Sequence, residues 1–159
     1  MGEFANFLRG NMDSLTMDKT ISFEQELNHT KHYLALEKLR FQDALNIEYD
    51  IKTTLFRLPT LTLQPIVENA VRYGVTKREN GGTVKISTEE TDTDFVITVV
   101  DDGVGFDIME KKDDGRTHIG VMNVKNRLYE MCGGTLTVNS ATDVGTKVLI
   151  SIPKKEESK

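Results

Sequence analysis

The sequence holds 159 residues, enough for one compact domain with an appended helix or two. Its 20 Lys and Arg against 25 Asp and Glu give a net charge of −5, which argues against a nucleic-acid surface spread over the whole domain and leaves only local basic patches open. The single cysteine, Cys132, excludes an internal disulfide framework and offers no C-x-x-C or Cys/His cluster for zinc; no stretch approaches the ~20 apolar residues of a membrane span.

Residues 3–12 carry Phe4, Phe7, Leu8 and Met12 in a short amphipathic pattern that Gly10 weakens, as at the tail of a longer helix. Ser22-Phe23-Glu24-Gln25 has the form of a capping box and opens a helix to about Phe41, with Phe23, Leu27, Leu34 and Phe41 on one stripe that must be covered. Alternation with period two predicts a half-exposed strand over 46–51. Pro59 opens a second helical stretch, 61–73, which is apolar enough to be buried. Asn80-Gly81-Gly82 is a turn, and adjacent strands over 83–88 and 94–100 follow at hairpin spacing. A polar loop covers 107–118. Val121, Val124, Leu128 and Met131 then repeat at helical spacing over 119–131, and Gly133-Gly134 ends that helix. Strands over 135–139 and 146–152 flank a turn containing Gly145, before a charged tail. Helices mixed with a largely antiparallel sheet make an α+β layered domain with a helical piece in front.

Two stretches carry chemistry. The strand ending in Val99-Val100-Asp101-Asp102-Gly103-Val104-Gly105 delivers Asp101 to a rim, where a carboxylate accepts from an amino group while Gly103 and Gly105 let the backbone pass close to a flat or phosphorylated ligand. An ordinary Asp-Gly turn fits the same residues. In the buried helix, Asn69, Arg72 and Tyr73 share one face by their three- and four-residue spacing. An amide oxygen can ligate Mg²⁺, a guanidinium can pair with phosphate, and an aromatic ring can pack on a base. Taken singly, each also reads as a packing or surface residue.

Together with Gly120 and Gly145-Thr146, these stretches resemble the ATP-binding domain of the GHKL superfamily, which includes histidine kinases, type II topoisomerases, Hsp90 and MutL. The order is that family's order: an Asn-bearing helix, an Asp-x-Gly-x-Gly turn, a loop closing at a glycine, and a late Gly-Thr. Within the superfamily the wording is similar to that of LytS-like (YesM-like) sensor histidine kinases, in Glu26-Leu27, Tyr33-Leu34-Ala35-Leu36-Glu37-Lys38-Leu39-Arg40-Phe41, Leu58-Pro59, Leu63-Gln64-Pro65-Ile66-Val67-Glu68-Asn69-Ala70 and Gly120-Val121-Met122-Asn123-Val124-Lys125-Asn126-Arg127-Leu128. The resemblance covers about residues 20–153. It implies a two-layer α/β sandwich of the Bergerat type, with residues 1–44 the truncated end of a dimerisation and acceptor region, 45–154 the catalytic domain and 155–159 a tail.

Carried over by position, Asn69 holds Mg²⁺ between the phosphates, Arg72 lies near the phosphate tail and Tyr73 lies against adenine. Asp101 accepts from the adenine amine, Gly103 and Gly105 allow that approach, and Thr146 backs the pocket. Residues 107–119 form a mobile lid over ATP with Gly120 as its hinge, and the helix start that bears Asn123 lies near the phosphates. The lid departs from the family's glycine run at Arg116 and His118, and His118 stands where it can reach a phosphate instead. Glu68 joins Asn69 as a catalytic candidate with its role open. In superfamily ATPases the water-activating glutamate lies four residues before the Asn, where this sequence has Pro65, so transfer to a protein side chain is favoured over hydrolysis.

The family's phosphoacceptor motif is missing; His29 and His32 lie outside it and read as surface or packing residues. Met1-Gly2-Glu3-Phe4 resembles an expression start. The resemblance thus implies the ATP-dependent catalytic part of a two-component histidine kinase, binding Mg-ATP or ADP but unable to phosphorylate itself. The whole protein would be a membrane-anchored bacterial sensor, homodimeric, which passes the phosphate to a response-regulator receiver domain. The 159-residue chain itself would be a cytoplasmic and soluble part of it. A GHKL-type ATPase or serine kinase, and a nucleotide-free interaction module of the same fold, are the rival readings.

Overall fold

The computed structural model describes residues 19–105 and 116–154, with the side chains of the second stretch from 120 onward. In chain order the elements are β1 (Thr20–Ser22), α1 (Phe23–Phe41), β2 (Leu45–Ile51), β3 (Arg57–Pro59), α2 (Leu63–Asn69), β4 (Gly82–Glu90), β5 (Asp94–Asp101), α3 (Arg116–Cys132), β6 (Thr135–Ala141) and β7 (Gly145–Pro153). Ser22 caps α1 as its sequence predicts: the residue is extended, and its Oγ accepts from the backbone N–H of Gln25 at 3.1 Å.

Five strands form one sheet in the order β2-β4-β5-β7-β6, parallel between β2 and β4 and antiparallel elsewhere. Val84, Ile86, Ile97, Val99, Val148 and Ile150 face inward and are buried, whereas their neighbours Lys85, Val100 and Lys147 are exposed. The buried side chains of the helices join that inner face in one core: Phe23, Leu27 and Leu34 from α1, Leu63, Ile66 and Val67 from α2, Val124 and Leu128 from α3. The fold is therefore the two-layer α+β sandwich, with helices on one side and a polar sheet face on the other. Phe23, Phe56 and Phe95 stack in succession, with ring centroids 4.8 Å apart at each step, and so join α1 to the sheet through the segment before β3.

Three features differ from the expectation. A small antiparallel sheet pairs β1 with β3, strands of three residues each and too short to show a period. The second helix starts at Leu63 rather than 61, because Leu61 takes a left-handed φ of 62° that no helix accommodates. The third helix begins at Arg116 rather than 119, since no Gly or Pro interrupts residues 116–119. Residues 107–115 of the expected lid loop lie outside the described residues; the remainder of that stretch, residues 116–119, is helical.

Candidate functional site

Asp101 is the last residue of β5, where Val84 and Thr146 stand beside it on the neighbouring strands. Only 5% of it is exposed, and its Oδ1 accepts from the Gly103 backbone N–H at 2.9 Å. Burial pushes the carboxyl up to about 6. The Gly103 hydrogen bond opposes that rise, the charge of Asp102 adds to it, and a backbone hydrogen bond from Thr146 and the Arg78 charge oppose it. The Thr146 hydroxyl is 2.7 Å from that of Ser140 on β6, which continues the polar floor of the site across the sheet.

The turn after Asp101 lies directly on the end of the second helix. Beyond Asn69 that helix widens into a π-turn over Ala70–Gly74, and the Thr76 hydroxyl donates to the Val71 carbonyl at 2.7 Å. Such widening is frequent at functional sites, and here it brings Gly74 against Asp101. A Cβ at Gly74 would stand 2.7 Å from Asp101 Oδ1, and one at Gly103 would fall inside the backbone of Gly74. Glycine at both positions permits backbone to meet backbone, and the Val104 N–H donates to the Gly74 carbonyl at 3.4 Å. Gly105, at φ 64°, takes the left-handed step that carries the chain onward against Ala141.

The structure thus brings Asp101, Gly103, Gly105 and Thr146 to the end of the helix that bears Asn69, Arg72 and Tyr73. Asn69 and Tyr73 are half-buried and Arg72 is exposed. Glu68 is half-buried, and its carboxylate accepts from Gln64 Nε2 at 3.0 Å. Its charge and that of Arg72 both act on Tyr33 of α1, in opposite senses; the phenol is pushed well above its ordinary value by burial first and then by Glu37. Gly120, expected at the boundary of loop and helix, lies within α3 instead. It and the exposed Asn123 are placed by the packing of α3 on α2. The side chain of His118 lies outside the described residues. His29 and His32 are exposed on α1.

Arg78 was not legible as a site residue. Its Nε donates to the Asp102 carbonyl at 2.8 Å, and its Nη2 donates to the carbonyls of Gly103 and Asp143 at 2.7 Å each. One guanidinium therefore ties the Asp101 turn to the β6–β7 hairpin. Gly74 was also missed, although a glycine directly after Tyr73 is the signal that could have marked a close approach.

Residues 57–156 match the family described as histidine kinase-, DNA gyrase B- and HSP90-like ATPase, and residues 1–45 match the histidine kinase family. The chain is 36% identical over 156 residues to the uncharacterised protein YwpD of Bacillus subtilis, covering 94% of this chain and 56% of that protein. It is 30% identical over 162 residues to the sensor histidine kinase YesM of the same organism, covering 99% of this chain and 28% of YesM. The chain thus spans about half the length of the first relative and about a quarter of the second. Among solved structures, the catalytic domain of histidine kinase ThkA superposes with a TM-score of 0.62 at 16% identity, over 86% of this chain and 95% of that one. ThkA in complex with the response regulator TrrA also matches, with a TM-score of 0.62 at 17% identity, over 86% of this chain and 42% of that one.

Proposed function

Because the chain belongs to the histidine kinase-, DNA gyrase B- and HSP90-like ATPase family, we propose that it is the ATP-binding catalytic part of a sensor histidine kinase. In the whole protein it transfers the γ-phosphate of ATP to a histidine on an upstream helix, for relay to an aspartate of a response regulator. The observation that carries this reading is Asp101, a buried carboxylate held by Gly103 and set against Gly74, on the helix that bears Asn69, Arg72 and Tyr73.

On this reading Asp101 accepts from the exocyclic amine of adenine and Tyr73 lies along the base. Arg72 faces the phosphates. Asn69 would hold Mg²⁺ through its amide oxygen, a hard ligand of the kind that cation takes. Bound Mg²⁺ would neutralise charge on the transferring phosphoryl group, and the protein's share of the work is positioning. Pro65 stands four residues before Asn69, where a water-activating glutamate would be needed, and Glu68 is engaged by Gln64. Both observations favour transfer to a protein side chain over hydrolysis.

The match of residues 1–45 to the histidine kinase family supports a dimer in the whole receptor, and the ThkA complex supports a receiver domain as the partner. On this reading the whole receptor sits at a membrane with this part on the cytoplasmic side, as the likeness to sensor histidine kinases supports.

Thermal unfolding with and without Mg-ADP tests the nucleotide site. Ligand at about 100 times its dissociation constant stabilises by ~2.7 kcal/mol, which for a chain of this size is a rise in Tm of roughly 5 to 10 °C. The expected result is such a rise, abolished in Asp101→Asn. No shift at millimolar nucleotide would leave a non-catalytic interaction module.

A further inference from the structure

Glu26 of α1 is 1% exposed, and nothing in the nucleotide reading uses it. Its carboxylate accepts three backbone hydrogen bonds: Oε1 from the N–H of Leu61 at 3.2 Å, and Oε2 from the N–H groups of Leu63 at 3.0 Å and Gln64 at 3.2 Å. The last two are donors that a helix start leaves without partners. Thr62, which stands at the N-cap, leaves them to Glu26: its hydroxyl donates to the Pro59 carbonyl at 2.6 Å. From the other side, Arg127 of α3 donates through Nη2 to the carbonyls of Thr60 at 2.7 Å and Leu61 at 2.6 Å. Between the two charges sits Leu61 at φ 62°, a conformation that disfavours a side chain with a Cβ by roughly 1 to 2 kcal/mol. Such a residue persists where its surroundings over-determine it. Here a carboxylate holds its N–H and a guanidinium holds its C=O.

We propose that Glu26 and Arg127 are positioning residues for the nucleotide site. By holding the turn at residues 60–61 from both sides they fix where α2 begins, and therefore where Asn69, Arg72 and Tyr73 stand. Glu26 also makes α1 and α2 move together, so a displacement of α1 reaches the nucleotide-bearing helix through two hydrogen bonds to its first turn and a third to the turn before it. Arg127 extends the same coupling to α3, the helix that follows residues 106–115. The inference rests on the nucleotide reading above for its functional meaning, while the geometry it invokes is independent of that reading.

The test is Mg-ADP titration calorimetry well below Tm, on the unaltered chain and on Glu26→Gln, Arg127→Met, the double variant and Glu26→Gln with Leu61→Gly, with Tm measured for each. A glutamine keeps the shape of Glu26 but cannot accept at both positions. The expected result is about tenfold weaker binding in each single variant, in the ordinary range of coupling between sites. The double variant should lose less than the two losses multiplied, and the glycine, which tolerates the left-handed turn, should recover part of the affinity. A lower Tm with Kd unchanged within twofold in both single variants would overturn the proposal, because a merely structural role moves stability alone. Arg127→Met decides the matter if Glu26→Gln does not fold. If the unaltered chain binds no Mg-ADP, the proposed function fails, and amide exchange judges the clamp on its own. Faster exchange over residues 63–74 with β5 and β7 unchanged supports it, and unchanged exchange over 63–74 overturns it.

Discussion

Asp101 titrates within the range of ordinary buffers because burial holds its carboxyl near 6 in the folded chain, against about 3.9 for a solvated aspartate. Between those two values the folded state binds more protons than the unfolded one. The contribution to stability is therefore fully present below about pH 4 and is lost as pH rises through about 6, to the extent of ~2 to 3 kcal/mol. Urea midpoints measured from pH 4 to 7 on the chain and on Asp101→Asn should differ in slope, with the variant flatter. On the proposed reading adenine affinity has the opposite sign, since an ionised carboxylate accepts from the amine more strongly than a protonated one, so affinity should rise over the window in which this contribution falls. Asp101 was legible because strand, carboxylate and glycines are consecutive. Arg78 was not, because its three acceptors lie 24, 25 and 65 residues away and no local pattern records them.

At the scale of elements, the site is an arrangement of ends: the π-turn after Asn69, the turn after β5 and the hairpin between β6 and β7. Arg78 joins the second to the third, and the Asp143 N–H donates back to the Val104 carbonyl at 2.6 Å. Arg78→Ala removes three charge-assisted hydrogen bonds and should cost about 2 to 4 kcal/mol, because the partly exposed carbonyls regain some of that from water. Amide exchange at Gly103, Val104 and Asp143 should accelerate together; protection retained at those three amides would mean that the turn holds without the guanidinium. The helices and long strands were legible to within a few residues because their apolar periods run for two turns or more, as with Val121, Val124 and Leu128. The π-turn was not, because Ala70-Val71-Arg72-Tyr73 suits an α-helix as well. The close approach of Gly74 to Asp101 that accompanies it is tertiary, and no local pattern records it.

Across the whole molecule, one family match ends at residue 45 and the other begins at residue 57, yet the core crosses that line. Phe23, Leu27 and Leu34 of α1 are at most 4% exposed and belong to the same apolar cluster as the sheet. Phe23 begins the aromatic stack that ends at Phe95 on β5. A chain beginning at residue 42 would leave that surface bare and the donors at the start of α2 without Glu26. Burying each such side chain contributes about 1.5 to 3 kcal/mol, so three of them amount to roughly 5 to 9 kcal/mol, against a total of about 5 to 15 for a domain. The shortened chain should therefore lose its cooperative urea transition, or show it at a far lower midpoint, by circular dichroism. An unchanged midpoint would mean that α1 only rests on the catalytic part. It would also remove the path by which the acceptor side is argued to reach the nucleotide helix, since a helix that contributes nothing to the core cannot hold α2 in place through Glu26.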